Sequence, residues 1–399
     1  MRRTGWMGLG AAALMAVSTA TLLAQGLRAQ QPERPNILFI SVDDLGWGDL
    51  STYGNAYHQT PNLDKLASEG VRFTNAYAAA PVSAASRAAI LKAQWPARMR
   101  FTHDLPAVER PYAKVRQPIT PRGMPNSVTS IAKRLRDAGY LTAFFGSWGL
   151  GYGPNGTRDQ GFHLGLGVHK GTDHRGMFLP LPEMSLMGPR GMYLSDTLAQ
   201  LGDDFISQFA DRPNLLYVSF YAVSPPIQGK PDILDRIAGR EDPSGRKNVA
   251  YAAMVEGVDE AVGRLLAKLE ETGSADRTAV FVFSDNGGME GRAFQGGLRK
   301  GRGWLYDGGI RVPLIARWPG HLDGGQVIDT PVSLVDVVKT MLEAAKATDV
   351  GSGVIDGRNL EHVLAGEGAE EPLFWHYPHY SEDGRCASGA PVRVRATSS

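Results

Sequence analysis

The chain alternates short apolar runs with longer segments whose apolar residues recur every three or four positions. The short runs are typical of buried strands, and the longer segments are typical of helices with one apolar face. This alternation predicts an α/β fold whose sheet is covered by helices on both faces. The predicted strands are Asn36–Val42, residues 141–145, Asn214–Phe220, Thr278–Ser284 and residues 312–318.

Four segments have helix signals. Thr60 and Pro61 suit the N-cap and first turn of a helix that Gly70 ends. Further helices are predicted over residues 128–137 and 251–271, and Ser333 is expected to cap a helix that ends near residue 345. Segment 251–271 has the clearest apolar stripe, formed by Met254, Val255, Val258, Val262, Leu265, Leu266 and Leu269.

The first 29 residues differ from the rest of the chain. Arg2 and Arg3 precede a mostly apolar run over residues 6–23, and small residues follow near Ala24 and Ala29. This pattern predicts a signal peptide over residues 1–29, and hence a periplasmic or secreted protein with no integral membrane segment in the mature chain. The alternative is a retained membrane anchor. The arginine pair is compatible with twin-arginine export.

Composition narrows the classes of function. The 399 residues are 43% hydrophobic, which is enough for a substantial core. A net charge of +1 gives no reason to expect binding to nucleic acid or to a membrane surface. Cys386 is the single cysteine, so an intramolecular disulfide is excluded. The sequence leaves the oligomeric state open.

Oxygen-bearing side chains follow two of the predicted strands. Asp43 and Asp44 come directly after the first strand, and Asp285 and Asn286 follow strand Thr278–Ser284. Ligands of open α/β sheets gather at the carboxyl ends of strands. Carboxylate and amide oxygens suit a hard divalent ion, Ca²⁺ or Mg²⁺. The alternative is two unrelated polar turns, because Asp and Asn are ordinary turn residues.

Five segments carry a specific pattern: RPNILFISVDDLGWGDLSTYGN, TPNLDKLASEGVRFTNAYA, YAAMVEGVDEAVGRLLAKLEETG, FVFSDNGG and LYDGGIRVPLIARWPG. They resemble successive blocks of the sulfatase family, in that family's order, and the similarity runs from about residue 34 to residue 380. The resemblance implies a large central mixed sheet flanked by helices, over a domain of residues 34–370, with a Ca²⁺ site and a sulfate-ester pocket. Asp43, Asp44, Asp285 and Asn286 match the family's metal ligands, with Mg²⁺ as the alternative ion. Residues 371–399 are interpreted as a remnant and tail, with the family's small antiparallel C-terminal subdomain largely absent.

The resemblance also implies a nucleophile. The family's C/S-x-P-S-R motif, whose first residue is oxidised to formylglycine, matches the run from Ser83 to Arg87. Ser83 and Arg87 fit, whereas Ala85 replaces the proline, and Lys92-Ala93 replaces a Thr-Gly pair. Two states of Ser83 remain open, formylglycine and an unmodified serine at the start of a helix.

Several basic residues of the family pattern are replaced. Ser147 and Gly149 stand where the family has Lys and His, and Ser224 stands where a second His is expected. Arg302 takes the place of a further Lys, with Lys300 nearby as a substitute. Histidines that could compensate are His58, His103, His163, His169 and His174, whereas His376 and His379 are expected to be structural.

The leading hypothesis is an arylsulfatase-type sulfuric ester hydrolase that acts on a sulfated small molecule or glycan. Ser83 would be the nucleophile, and Arg87 and Arg302 would bind the sulfate oxygens. A non-catalytic pseudo-sulfatase that binds sulfated glycans is the first alternative. The others are a serine-nucleophile, phosphatase-like hydrolase and a decaying gene product that folds poorly.

Overall fold

The computed structural model describes residues 34–105, 112, 114–119, 121–125, 127–151, 155–168, 176–243, 247–368, 371–380 and 392–394. One compact unit begins at Pro35. The predicted signal peptide, His169, His174, Cys386 and most of the C-terminal tail lie outside the described residues.

The described strands form one large sheet and one small sheet. Strand order in the large sheet is β4-β3-β5-β1-β6-β7-β2-β8, with β9 beside β2. The strands are β1 (Asn36–Val42), β2 (Val71–Tyr77), β3 (Leu141–Gly146), β4 (Leu164–Leu166), β5 (Asn214–Phe220), β6 (Thr278–Ser284), β7 (Arg311–Arg317), β8 (Gln326–Ile328), β9 (Val332–Ser333), β10 (Leu373–Trp375) and β11 (Val392–Val394).

Parallel pairing at the centre of the sheet brings three strand ends together. β1 lies between β5 and β6 and runs parallel to both, so Val42 pairs with Phe220 on one side and with Ser284 on the other. β7 is antiparallel to β6 and to β2, which makes the sheet mixed. The carboxyl ends of β5, β1 and β6 therefore form one continuous edge.

Helix boundaries follow from their caps. The helix predicted over residues 128–137 begins at residue 131, three residues later than predicted. Its N-cap is Ser130, whose side chain accepts a hydrogen bond from the backbone N–H of Lys133. Ser333 caps its helix through the expected capping box. The helices are α1 (Pro61–Glu69), α2 (Ser83–Lys92), α3 (Pro96–Met99), α4 (Ile131–Asp137), α5 (Leu194–Phe209), α6 (Pro231–Ala238), α7 (Val249–Glu271), α8 (Asp307–Ile310), α9 (Leu334–Ala344) and α10 (Leu360–Leu364).

Helices cover both faces of the large sheet, as the sequence predicts. Alternate residues of β1 enter two separate cores: Ile37 and Phe39 pack with α2, α4 and α9, whereas Leu38 and Ile40 pack with α1, α5 and α7. Every residue of β1, β5 and β6 is buried. Among the described residues, no helix is long and apolar enough to span a membrane.

The C-terminal part of the chain packs behind α2. β10 and β11 form a two-stranded antiparallel sheet. Trp375 is buried in a cluster that includes Val82 and Ala85, and its indole Nε1 donates to the carbonyl oxygen of Ala78 at 2.7 Å. The segment that precedes Ser83 is therefore supported by residues near the other end of the chain.

Acid is expected to destabilise the fold through His379. Burial lowers the pKa of this imidazole from 6.5 to about 3, with further contributions from His103 and His376. The unfolded chain takes up this proton at the ordinary pKa whereas the folded chain does not, so stability is lost as the pH falls through this window. Denaturant titrations between about pH 7 and about pH 4 should show a shallower pH dependence for His379→Gln than for the unchanged chain. Equal slopes would contradict the assignment.

Candidate functional site

Acidic residues meet at the carboxyl edge of the sheet. Asp43 and Asp44 follow β1, and Asp285 follows β6; one carboxylate oxygen from each lies within 4.8 Å of the others. Asp44 and Asp285 are fully buried. Asn286 belongs to the same group, because its Nδ2 donates to Asp44 Oδ1 at 2.8 Å. The sequence-predicted acidic residues thus come together in three dimensions, and we name these four residues the acidic cluster.

The backbone after β1 holds the cluster in place. Asp43 N–H donates to Ala222 O at 3.1 Å, and Val223 N–H donates back to Asp43 O at 2.9 Å. Asp44 has a left-handed φ of 61°, a conformation that Asp tolerates better than most residues. Leu45 N–H donates to Ser284 Oγ at 3.0 Å. The turn after β1 is therefore tied to the ends of both neighbouring strands.

Ser83 lies at the first position of α2 with its hydroxyl against the cluster. Its Oγ is 2.8 Å from Asn286 Oδ1 and 3.0 Å from Asp43 Oδ1. The sequence-predicted nucleophile thus contacts two of the residues predicted to hold a metal. Its position at the start of α2 is also the one expected for an unmodified serine.

Arg87 lies one turn further along α2, on the same face as Ser83. Its Nε donates to Asp285 Oδ2 at 2.8 Å, and its Nη2 lies 2.6 Å from Asp43 Oδ2. Burial, the largest influence, lowers the pKa of Arg87, but Asp43 and Asp285 outweigh it, and the net shift is upward. The guanidinium is therefore a fixed positive charge.

Arg302 reaches the cluster from the opposite side. Its Nε lies 2.9 Å from Asp44 Oδ1, and its Nη2 lies 2.6 Å from Asp104 Oδ2. Asp104 also accepts from the backbone N–H of Ala84 at 2.7 Å, so one carboxylate joins the start of α2 to Arg302. Sequence reasoning missed Asp104, because a single acidic residue in a loop gives no periodic or motif signal.

Ser147, Gly149 and Ser224 border the cluster. Ser147 Oγ is 2.7 Å from Arg87 Nη1, and Ser224 Oγ donates to Asp44 Oδ2 at 2.8 Å. A Cβ on Gly149 would lie 3.3 Å from Arg87 Nη1. These three positions, which the family resemblance assigns to Lys and His, therefore lie beside Arg87 and Asp44.

The described histidines suggested as substitutes make contacts elsewhere. His58 Nδ1 is 2.8 Å from Asp49 O, and His163 Nδ1 is 2.9 Å from Thr142 Oγ1. His103 contacts Tyr377 and stacks near His379. His376 is exposed and His379 is buried beside them. These contacts engage His58, His103 and His163 outside the acidic cluster.

The donor chemistry of the acidic cluster fits a hard divalent cation. Burial, followed by repulsion from Asp43 and Asp44 and opposed by Arg87, raises the pKa of Asp285 to about 8. Burial is also the main cause of a raised pKa at Asp44. Because both shifts favour the neutral acid, a divalent cation at this point would favour the carboxylate forms that bind it. Carboxylate oxygens and an amide oxygen are the ligands that Ca²⁺ and Mg²⁺ prefer.

Removing the Asp104 carboxylate is expected to destabilise the site. Asp104→Ala leaves the N–H of Ala84 and the guanidinium of Arg302 without this acceptor, at a cost of about 1–3 kcal/mol. Asp104→Asn keeps an oxygen for Ala84 and should cost less. The matched control is Glu290→Gln, whose exposed carboxylate pairs with Lys300 at 3.3 Å and should matter little. Denaturant unfolding measures all three; an Asp104→Ala variant as stable as Glu290→Gln would contradict the expectation.

Comparison with known proteins identifies the family of the chain. The family model described as "Sulfatase" matches residues 35–347, and the model "N-sulphoglucosamine sulphohydrolase, C-terminal" matches residues 300–395. Human N-acetylgalactosamine-6-sulfatase is 31% identical, over 86% of this chain and 69% of its own length. Human arylsulfatase A is 32% identical, over 91% of this chain and 74% of its own length.

A solved structure has the same fold. Ps i-CgsB in complex with k-i-k-neocarrahexaose superposes with a TM-score of 0.74 and is 27% identical, over 88% of this chain and 81% of that one. The family model covers most of the chain, and both human relatives align over more than two thirds of their length. The chain therefore belongs to the sulfatase family.

Proposed function

We propose that this protein is an exported sulfuric ester hydrolase that acts on sulfated glycans and uses a divalent cation. The observation that carries the proposal is the position of Ser83. Its hydroxyl oxygen is within hydrogen-bond distance of Asp43 and Asn286, and Arg87 lies one turn away on the same helix face. A nucleophile, a cation-binding set and a fixed positive charge thus share one site.

Each residue of the site has a defined part in this proposal. Asp43, Asp44, Asp285 and Asn286 would hold Ca²⁺ or Mg²⁺, which would supply positive charge for the sulfate oxygens. Arg87 and Arg302 add two guanidiniums, placed before the reaction where negative charge develops. Conversion of Ser83 to formylglycine would supply a hydrated aldehyde in place of a weakly nucleophilic hydroxyl.

The names of two similar proteins favour sulfated glycans as the substrates of this chain. One curated relative is named for N-acetylgalactosamine-6-sulfate, and the solved neighbour Ps i-CgsB is complexed with a carrageenan hexasaccharide. Both are similar to this chain over most of its length. Export, inferred from residues 1–29, would place the protein where such polymers occur.

A second candidate is a non-catalytic protein that holds sulfated glycans. The observation in its favour is the short side chains of Ser147, Gly149 and Ser224 beside Arg87 and Asp44. Loss of one preorganised donor typically costs about 10²- to 10³-fold in rate. Loss of a general acid costs about 10²- to 10⁴-fold. This candidate keeps the cation and the ligand but has no turnover.

Cation binding is expected to stabilise the fold. Because the three clustered aspartates repel one another, adding Ca²⁺ should raise the free energy of unfolding by about 2.7 kcal/mol at a hundred times its dissociation constant. Thermal unfolding with Ca²⁺ and with a chelator measures the shift. Asp44→Asn should reduce it, whereas Asp276→Asn, at the amino edge of β6, should not. An equal Ca²⁺ effect in the Asp44 variant would argue against the assigned ligands.

The state and use of Ser83 test the two candidates directly. We expect mass spectrometry of protein from its native host to show loss of two hydrogens at Ser83. Hydrolysis of sulfated oligosaccharides should then fall at least about 10³-fold in Ser83→Ala. The unchanged fold of that variant is checked by thermal unfolding. An unmodified Ser83 with ligand binding but no turnover would select the non-catalytic candidate, and Ser83-dependent release of phosphate from phosphate esters would select a phosphatase-like reaction.

A further inference from the structure

A cavity of about 250 Å³ lies outside the acidic cluster. Its lining comes from residues 54–58, from residues 242–243 and 248, and from residues 292–294. We name it the loop cavity. Its size is below the range of about 300–1,000 Å³ that is typical of drug-sized ligands, so it suits a single ring.

The loop cavity lies at the same edge of the sheet as the acidic cluster. Residues 54–58 belong to the connection after β1, and residues 292–294 belong to the connection after β6. Asn248 caps the start of α7, and the end of α7 leads to the amino end of β6. The first turn of α7 therefore lies at the carboxyl edge of the sheet. The connections that carry the acidic cluster therefore also build the cavity.

Hydrogen bonds fix the cavity lining to the turn that follows Asp44. Phe294 N–H donates to Asp49 Oδ1 at 2.8 Å, and Gly48 N–H donates to Phe294 O at 3.0 Å. Gly46 packs so closely on Ala293 that a Cβ on Gly46 would lie 2.9 Å from the alanine methyl. The two regions are thus parts of one rigid edge.

Polar side chains from separate connections line the loop cavity. Arg292 is exposed, and in the described part of the chain its guanidinium has no ion pair. Asn248 uses Oδ1 to accept from Tyr251 N–H, which leaves its amide nitrogen as a further donor. Asp242 adds a carboxylate acceptor to the wall, and Phe294 adds a half-buried aromatic ring.

The lining combines the guanidinium of Arg292, the side-chain amide of Asn248 and the ring of Phe294. Donors, one carboxylate and an aromatic face together match a polyhydroxylated ring with an anionic substituent.

We propose that the loop cavity is a second glycan site, which binds one sugar ring of an anionic polysaccharide through Arg292 and Asn248. The inference rests on the proposed glycan substrate and narrows it, because it requires a chain of several sugars rather than a small sulfate ester. The sulfated ring at Ser83 and the ring in the loop cavity would belong to the same polysaccharide.

The test is equilibrium binding of matched oligosaccharides. Calorimetry with disaccharides and hexasaccharides from chondroitin sulfate, heparin and carrageenan should show that at least one hexasaccharide binds about tenfold more tightly than its disaccharide. Arg292→Ala should remove most of that advantage and leave the disaccharide affinity unchanged. Asn248→Ala should also weaken binding of the hexasaccharide, about threefold, with thermal unfolding as the check that α7 keeps its fold.

Arg212→Ala is the matched control. Arg212 is exposed and lies two residues before β5, at the opposite edge of the sheet, so its removal changes net charge equally. The control should bind every oligosaccharide like the unchanged chain. Equal losses in Arg292→Ala and Arg212→Ala would overturn the proposal as a general charge effect. So would equal affinity for long and short oligosaccharides, or no binding at all.

Failure of this proposal can be told apart from failure of the proposed function. The binding measurements need neither turnover nor conversion of Ser83. Binding of the hexasaccharide that depends on Arg292, without hydrolysis, would support the second site and contradict the hydrolase. Hydrolysis of small sulfate esters, with normal oligosaccharide binding by Arg292→Ala, would support the hydrolase and contradict the second site.

Discussion

Three aspartates lie at the carboxyl edge of the central sheet, and their mutual repulsion must be offset for the chain to fold. Arg87 pairs with Asp43 and Asp285, and Arg302 pairs with Asp44. Each guanidinium comes from a different part of the chain. Breaking a buried pair of this kind by removing one partner costs about 3–5 kcal/mol, because the other charge is left without compensation. The arrangement of α2 and of the segment around Arg302 therefore depends on this charge balance.

Short hydroxyl groups complete the same network. Ser147 accepts from Arg87, and Ser224 donates to Asp44. A buried polar network is stabilising only when its members are satisfied. The serines thus keep hydrogen bonds where the family resemblance predicts longer basic side chains. Both hydroxyls therefore help to hold Arg87 and Asp44 in place.

The sequence predicted the parts of the fold that have one strong local cause. β1, β5 and β6 have the predicted bounds, because an unbroken apolar run fits only a fully buried strand. β2 and α5 were not predicted. β2 mixes polar and apolar residues over its length, and three of its seven residues are only half-buried, so its pairing partners decide its structure.

The site was predictable to the same extent and for a similar reason. The acidic cluster follows strand ends, and topology brings those ends together. Ser83 and Arg87 are one helical turn apart, so local geometry places them on one face. Asp104 carries no such signal, because its two contacts, with Ala84 and Arg302, join segments that only the folded chain brings close. The same holds for Asn248 and Arg292, which line one cavity from separate connections.

Support for the segment before Ser83 arrives late in synthesis. Ala78 is made early, and Trp375, whose indole bonds to it, follows 297 residues later. A ribosome that makes about 5–20 residues per second needs about 15–60 s to cover that interval. During this time the start of α2 has no contact with Trp375, so it is more accessible than in the finished domain. Any enzyme that alters Ser83 would therefore meet its most open substrate on the nascent or newly exported chain, and completion of the fold would end that opportunity.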